Sequence, residues 1–87
     1  MRVTPQADVL VRRMGDEAVV LNLKTETYYL LNSTSIRMWE VLTSSDSVDS
    51  AIAQLLEEYD VNPEEVRADV DALIATLARA QLIDVHS

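Results

Sequence analysis

Cysteine is absent from this 87-residue chain, which excludes a disulfide framework, a thiolate nucleophile and a cysteine-based metal site. The one histidine, His86, is next to last, where chain ends commonly fray, so no catalytic or metal-binding role is expected of it. One glycine and two prolines leave little room for long irregular loops. Basic residues are also scarce: seven Lys and Arg stand against fifteen Asp and Glu, a net charge of −8. That balance opposes nucleic acid and anionic membrane surfaces, and any partner chosen by charge is a basic one. Solubility alone accounts for the acidity equally well. No stretch approaches the ~20 apolar residues that span a bilayer, and the start, MRVTPQADVLVRR, lacks the apolar core of a signal peptide. A cytoplasmic protein without metal or cofactor is the expectation.

Apolar residues, by contrast, make up 48% of the chain, enough for a packed core in a single domain over residues 1–87. Val9 to Arg12 is β-branched and apolar, and Met14 to Glu17 is a turn that holds the sole glycine, Gly15. From Ala18 to Leu23, Val19, Leu21 and Leu23 alternate with Ala18, Val20 and Asn22, the period of a strand. After a short polar turn, Thr27 to Leu31 favours strand again. These three segments predict an antiparallel three-stranded meander.

At Asn32 the period changes to that of a helix. Asn32 or Ser33 can cap it, and Ile36, Trp39 and Leu42 recur at helical spacing, with Trp39 expected as a core anchor. Val48, Ala51, Ile52, Leu55, Leu56 and Tyr59 then form one apolar face on a second helix. The third has the clearest start: Asn62 as cap, Pro63 in the first turn, and Glu65 three residues on as in a capping box. On it Val66, Val70, Leu73, Leu77 and Ala80 cluster on one face, while Ile74 lies to one side beside Arg67, Asp71 and Ala78. Gln81 to Val85 reads as a short C-terminal extension. Three strands followed by three helices is an α+β domain whose sheet lays one face on the helices.

Such a sheet has two edges. The first strand carries Arg12 and Arg13, which blunt an edge, whereas Thr27-Tyr28-Tyr29-Leu30-Leu31 carries no charge. Sequential hairpins leave that strand on the outside. Alternation sets Tyr28 and Leu30 on one face and Tyr29 and Leu31 on the other, without deciding which pair serves the core.

The runs VVLNLKTETYYLLN, STSIRMWEVL, SAIAQLLEEYDV and NPEEVRADVDALIATLARAQLI resemble, in this order and spacing, the PqqD-type family, also called the RiPP recognition element. The resemblance spans about Val9 to Ile83. It implies a winged helix-turn-helix-like fold and a non-catalytic protein that binds the leader segment of a ribosomally made precursor peptide. The leader would add a strand in the cleft between the third strand and the third helix. A short, acidic, free-standing copy looks most like the leader-binding partner in lasso-peptide maturation, which works with a cysteine-protease leader peptidase and a macrolactam cyclase. The runner-up is the pyrroloquinoline quinone chaperone that serves a radical SAM enzyme. On this reading Thr27, Tyr28, Tyr29, Leu30, Leu31 and Asn32 form the docking edge. Val70 and Ile74 are candidates for its apolar lining, and Arg67 and Asp71 for a polar rim; ordinary flank packing is the alternative for Ile74. Family members often carry glycine where this chain has Glu26 and Gln81, which marks both as left-handed positions.

Two other classes compete. A winged helix suggests DNA binding, but the third helix sets Glu64, Glu65, Asp69 and Asp71 against Arg67 and Arg79, the wrong sign for phosphate. An enzyme needs a nucleophile, base or metal constellation, and the Ser, Thr and Tyr hydroxyls here have no His or Cys partner. A bare strand edge can also pair with its own copy, so a dimerising module stays open.

Overall fold

The switch from period two to period 3.6 at Asn32 is the point where backbone hydrogen bonding passes from between strands to within helices. In a computed structural model that describes residues 1–87, eight elements follow one another. They are β1 (Arg2–Pro5), β2 (Val9–Met14), β3 (Glu17–Asn22), β4 (Tyr28–Leu31), α1 (Ser33–Ser44), α2 (Val48–Glu58), α3 (Pro63–Arg79) and β5 (Ile83–His86). β2, β3 and β4 form the predicted antiparallel meander, with β3 in the middle. Gly15, at φ +64°, makes the tight β2–β3 turn. On β3 the smaller of the two alternating sets, Ala18 and Val20, faces inward and is fully buried with Leu31 of β4. The bulkier outward face leaves Leu10, Tyr28 and Leu30 exposed.

A second sheet was not expected. β1 pairs antiparallel with β5 in the register Arg2–His86 to Pro5–Ile83. The ribbon joins the two ends of the chain and buries Val3, Leu82 and Ile83 in the core. The C-terminal extension is therefore a strand, and His86 is held rather than frayed: its Nε2 lies 2.9 Å from Thr4 Oγ1. The Met1 carbonyl accepts a 2.7 Å hydrogen bond from the Val48 N–H, which ties the ribbon to the start of α2.

Each helix begins on a side-chain cap. Asn32 Oδ1 accepts from the Ser35 N–H and Ser35 Oγ accepts from the Asn32 N–H, a reciprocal capping box at α1. Ser47 caps α2. At α3 the cap is Asn62 and Pro63 opens the helix, but Asn62 Oδ1 accepts from Glu64 at 2.8 Å. The expected Asn62–Glu65 box is corrected on that point: the tighter two-residue turn leaves Glu65 free to face outward. Ile36, Trp39 and Leu42 of α1 pack with Ile52 and Leu55 of α2 and with Val66, Val70 and Leu77 of α3 in one core.

Arg37 grips Glu58 with two hydrogen bonds, Nε to Oε1 at 2.7 Å and Nη2 to Oε2 at 2.6 Å, clamping α1 to α2 at the surface. Those bonds hold the Glu58 carboxyl below the usual carboxylate range. The folded value thus lies below the unfolded one of about 4.3, so the clamp's contribution is present above that pH and lost as pH falls through the folded value. Glu58→Gln should be less stable than the parent at neutral pH. Urea unfolding of both proteins should show the gap shrinking as pH falls below about 4.3.

Candidate functional site

β4 has a partner on one side only, so half of its backbone groups face outward, and the register says which half. The Asn22 N–H donates to the Thr27 carbonyl at 2.9 Å. In an antiparallel pair, hydrogen-bonded and non-bonded positions alternate. Asn22–Thr27 being bonded makes Val20–Tyr29 and Ala18–Leu31 bonded as well. The N–H and C=O of Tyr28 and Leu30 consequently point away from β3, at the open edge. The ladder stops at Asn32, because its N–H goes to Ser35 Oγ and its carbonyl accepts from Ile36. The edge offers four backbone groups in a row, two donors and two acceptors.

Beside that edge is a cleft of about 290 Å³. Tyr29 and Asn32 form its strand side, Thr34, Ser35 and Met38 of α1 its floor, and Asp69, Ala72, Leu73 and Thr76 of α3 its far wall. Of the paired faces on β4, Leu31 is in the core at 0% exposure, while Tyr29, at 36%, reaches over the cleft. Tyr28 and Leu30 project from the opposite, outward face of the sheet.

One residue that sequence reasoning passed over fixes the base of the cleft. Asn22 is the single buried polar residue. Its Oδ1 accepts from the N–H groups of Lys24 and Thr25, folding the β3–β4 turn, while its Nδ2 donates to the Gln81 carbonyl at 2.6 Å. Thr27 Oγ1 adds a bond to the Ala80 carbonyl. Together they tie the start of β4 to the end of α3 and set the width of the cleft between them. The signal was available: Asn22 is a polar residue in phase with the inward set Ala18 and Val20, two residues before a turn.

The left-handed positions gather at the same junction. Glu26 has φ 61° and Gln81 φ 62°, as the resemblance implied. A non-glycine residue there typically costs about 1–2 kcal/mol, against about 0.5–1 kcal/mol for the greater unfolded freedom of glycine. Gln81→Gly keeps the carbonyl that Asn22 binds. It should raise the melting temperature by up to about 4–8 °C, read by circular dichroism.

The candidate residues on α3 fall in two places, and none lines the cleft. Val70 is 0% exposed and Ile74 8%, and both belong to the core. Ile74 thus follows the alternative of flank packing, because α2 and the β1–β5 ribbon together enclose a wider stripe of α3 than periodicity alone defines. Arg67 donates to Asp49 Oδ1 at 3.1 Å, toward α2, and Asp71 is exposed on the same side. The cleft wall is the opposite flank of the stripe: Asp69, Ala72 and Thr76, with Leu73 at its border. On the strand, Tyr29 and Asn32 line the cleft and Tyr28 and Leu30 supply the open backbone. Leu31 anchors β4 in the core and Thr27 pins its start.

Charge is divided between the two halves of the fold. Residues 1–32 carry four acidic and four basic side chains, whereas residues 33–79 carry ten acidic and three basic. Two of those three bases are already paired, Arg37 with Glu40 and Glu58, and Arg67 with Asp49. The helical half of the fold is therefore strongly anionic, and the cleft itself holds one carboxylate, Asp69. No helix is long and apolar enough to cross a membrane.

Among known protein families, the one described as coenzyme PQQ synthesis protein D (PqqD) matches residues 17–83, from β3 to the start of β5. The chain belongs to the PqqD family. Two solved structures share its fold almost end to end. TbiB1 in complex with the TbiA(beta) leader peptide is 25% identical and superposes with a TM-score of 0.84, over 97% of this chain and 98% of that one. A lasso peptide synthetase B1 complexed with the leader peptide is 20% identical, also with a TM-score of 0.84, over 98% and 100% of the two chains. No curated protein matches the sequence. In this PqqD-family chain the β1–β5 ribbon lies largely outside the matched segment, yet it is integral to the core.

Proposed function

We propose that this protein is a non-catalytic adaptor that binds the leader segment of a ribosomally made precursor peptide and delivers it to a separate leader peptidase and a macrolactam cyclase. The observation that carries the reading is the open β4 edge, four unpaired backbone groups on Tyr28 and Leu30 beside a cleft walled by α3. Strand addition at such an edge draws affinity from the backbone and specificity from side-chain pockets. The likeness to TbiB1, which is held in a complex with a leader peptide, supports the same reading.

Magnitudes require the cleft as well as the edge. Four hydrogen bonds at a net ~0.5–1.5 kcal/mol each contribute about 2–6 kcal/mol. A micromolar complex needs about 8 kcal/mol, before the cost of ordering a flexible leader is met. Burial of leader side chains against Tyr29, Met38 and Leu73 supplies the difference at about 25 cal/mol per Å² of apolar surface. The acidic helical half, with Asp69 in the cleft, favours a lysine-bearing leader and speeds its capture at low salt.

The test is titration of the isotopically labelled protein with the leader of the precursor encoded beside its gene. Amide shifts are expected at Thr27–Asn32 and at Asp69, Leu73 and Thr76, with the amides of Tyr28 and Leu30 newly protected from exchange. Silence toward that leader, together with tight binding to duplex DNA, would sink the reading. The family's own description keeps a second pathway in view, the making of the quinone cofactor. A neighbouring radical SAM gene favours that pathway; transglutaminase-like and asparagine-synthetase-like genes favour lasso-peptide maturation.

A further inference from the structure

The meander has a second open edge, because β2 pairs with β3 alone. The Leu23 N–H donates to the Asp8 carbonyl at 3.0 Å. That bond makes Leu10–Leu21, Arg12–Val19 and Met14–Glu17 the bonded pairs of this ladder. The N–H and C=O of Val11 and Arg13 therefore point away from β3. Val9 lies in the same phase, but its N–H already donates to the Gln6 carbonyl at 3.1 Å. The open backbone of β2 thus matches that of β4 in kind, with donors and acceptors on two alternate residues.

The side chains beside the two edges differ. β4 is uncharged, whereas β2 carries Arg12 and Arg13 and no acid. Alternation sets these two guanidiniums on opposite faces of the strand, one on each side of the open backbone. Arg37 and Arg67 are held in ion pairs; Arg12 and Arg13 make none, and Asp16 and Glu17 at the hairpin tip do not reach them. Charge on an edge guards it against unwanted pairing, but a guard needs no apolar neighbours. Here Leu10, Val11 and Met14 are 46%, 38% and 51% exposed along the same strand. Pairing of two copies through β2 would gather their four guanidiniums along one pair of strands with no acid among them, which like-charge repulsion opposes.

We propose that β2 is a second docking edge, which takes an acidic extended segment of a partner protein in antiparallel pairing. Opposite Arg13 and Arg12 that segment carries Asp or Glu, and opposite Val11 and Leu10 it carries apolar residues. Read from its N-terminus it is acid, acid, apolar, apolar. The β2 and β4 edges lie one strand spacing to either side of β3, ~10 Å apart, so both can be filled at once. The proposal rests on the adaptor reading only in giving the leader the other edge. A lysine-bearing peptide suits β4 beside the acidic helical half, and an acidic one suits β2; opposite signs keep each from the other's place.

The experiment selects phage-displayed random peptides on the full chain. Enriched peptides are titrated into the labelled parent, into Val11→Pro and into an Arg12→Glu, Arg13→Glu double variant, with melting curves taken on all three. The Val11 N–H is unused against β3, so Val11→Pro should stay folded; the double variant tests the edge by charge alone. Peptides with the acid-acid-apolar-apolar order should be enriched. They should shift the Val11 and Arg13 amides and protect them from exchange, leaving Tyr28 and Leu30 unmoved. Both variants should bind them at least about tenfold more weakly, and the double variant should prefer peptides with lysine in place of the acids. Added salt should weaken binding to the parent severalfold and not to the double variant. Saturation with the leader should leave this binding unchanged. Absence of any peptide that moves Val11 and Arg13, or equal binding by a folded Val11→Pro, overturns the docking edge, whatever happens at β4. Displacement of the acidic peptides by the leader, with its own shifts at Val11 and Arg13, overturns it as well. Shifts at Val11 and Arg13 that grow with protein concentration alone assign the edge to a second copy and overturn it too. A leader that fails to move Tyr28 and Leu30 overturns the earlier reading and leaves the β2 edge standing.

Discussion

Leu30→Pro is expected to cut peptide affinity on the order of a hundredfold, about 2.7 kcal/mol, while the protein stays folded. Proline removes the backbone N–H and places a ring where a partner strand must approach. The Leu30 N–H faces the open edge, so β4 loses nothing it uses against β3. One position earlier the result inverts. The Tyr29 N–H belongs to the β3 ladder, so Tyr29→Pro removes a ladder bond and leaves the Val20 carbonyl without its donor, which should destabilise the fold by about 1–3 kcal/mol. Calorimetric titration with the leader and thermal melts on both variants read the two effects separately. Equal binding by the parent and a folded Leu30→Pro protein would exclude strand addition at β4. Proline at both sites with identical consequences would overturn the register alternation itself.

Asn22→Ala carries the largest expected loss of stability. The substitution leaves the Gln81 carbonyl and the N–H groups of Lys24 and Thr25 without their partner, at a position that is 2% exposed. Each unsatisfied buried group costs about 1–3 kcal/mol, relieved where water reaches the turn. A net loss of about 3–4 kcal/mol is expected, lowering the melting temperature by about 12–30 °C. Asn22→Asp does not rescue it at neutral pH, because a carboxylate oxygen then faces the Gln81 carbonyl. Leader affinity should fall as well, since Asn22 and Thr27 together hold the start of β4 against the end of α3. A variant that melts within a few degrees of the parent would show that the Asn22 junction does not hold the cleft together.

The local chemistry of the chain was enough to define β2, β3 and β4, the three helices and their caps, because alternation, helical spacing and cap residues act over a few neighbours. The same local reading placed Trp39 in the core, while it was the family resemblance that marked Glu26 and Gln81 as left-handed, which the backbone angles match. Local chemistry could not reach the β1–β5 ribbon. Arg-Val-Thr-Pro has too little periodicity to declare a strand, and its partner lies some eighty residues away, so only burial of Val3 and Ile83 in the assembled core makes the pairing favourable.

The cleft divides along the same line. An uncharged β4 at the outside of a meander was legible, and so was the separation of Tyr28 from Tyr29 onto opposite faces. Which tyrosine overlooks the cleft depends on the hydrogen bond between Asn22 and Thr27 and on where α1 lies. On α3 the apolar stripe has two flanks, and periodicity treats them alike. Sequence reasoning chose the flank of Arg67, Asp71 and Ile74, but that side turns toward α2, where Arg67 reaches Asp49, and it is Asp69, Ala72 and Thr76 that line the cleft with Tyr29. The sequence by itself determined β2 to β4, the three helices and the main faces they must bury. Only the tertiary structure decided which flank meets which edge, because that choice rests on contacts between elements far apart in the chain.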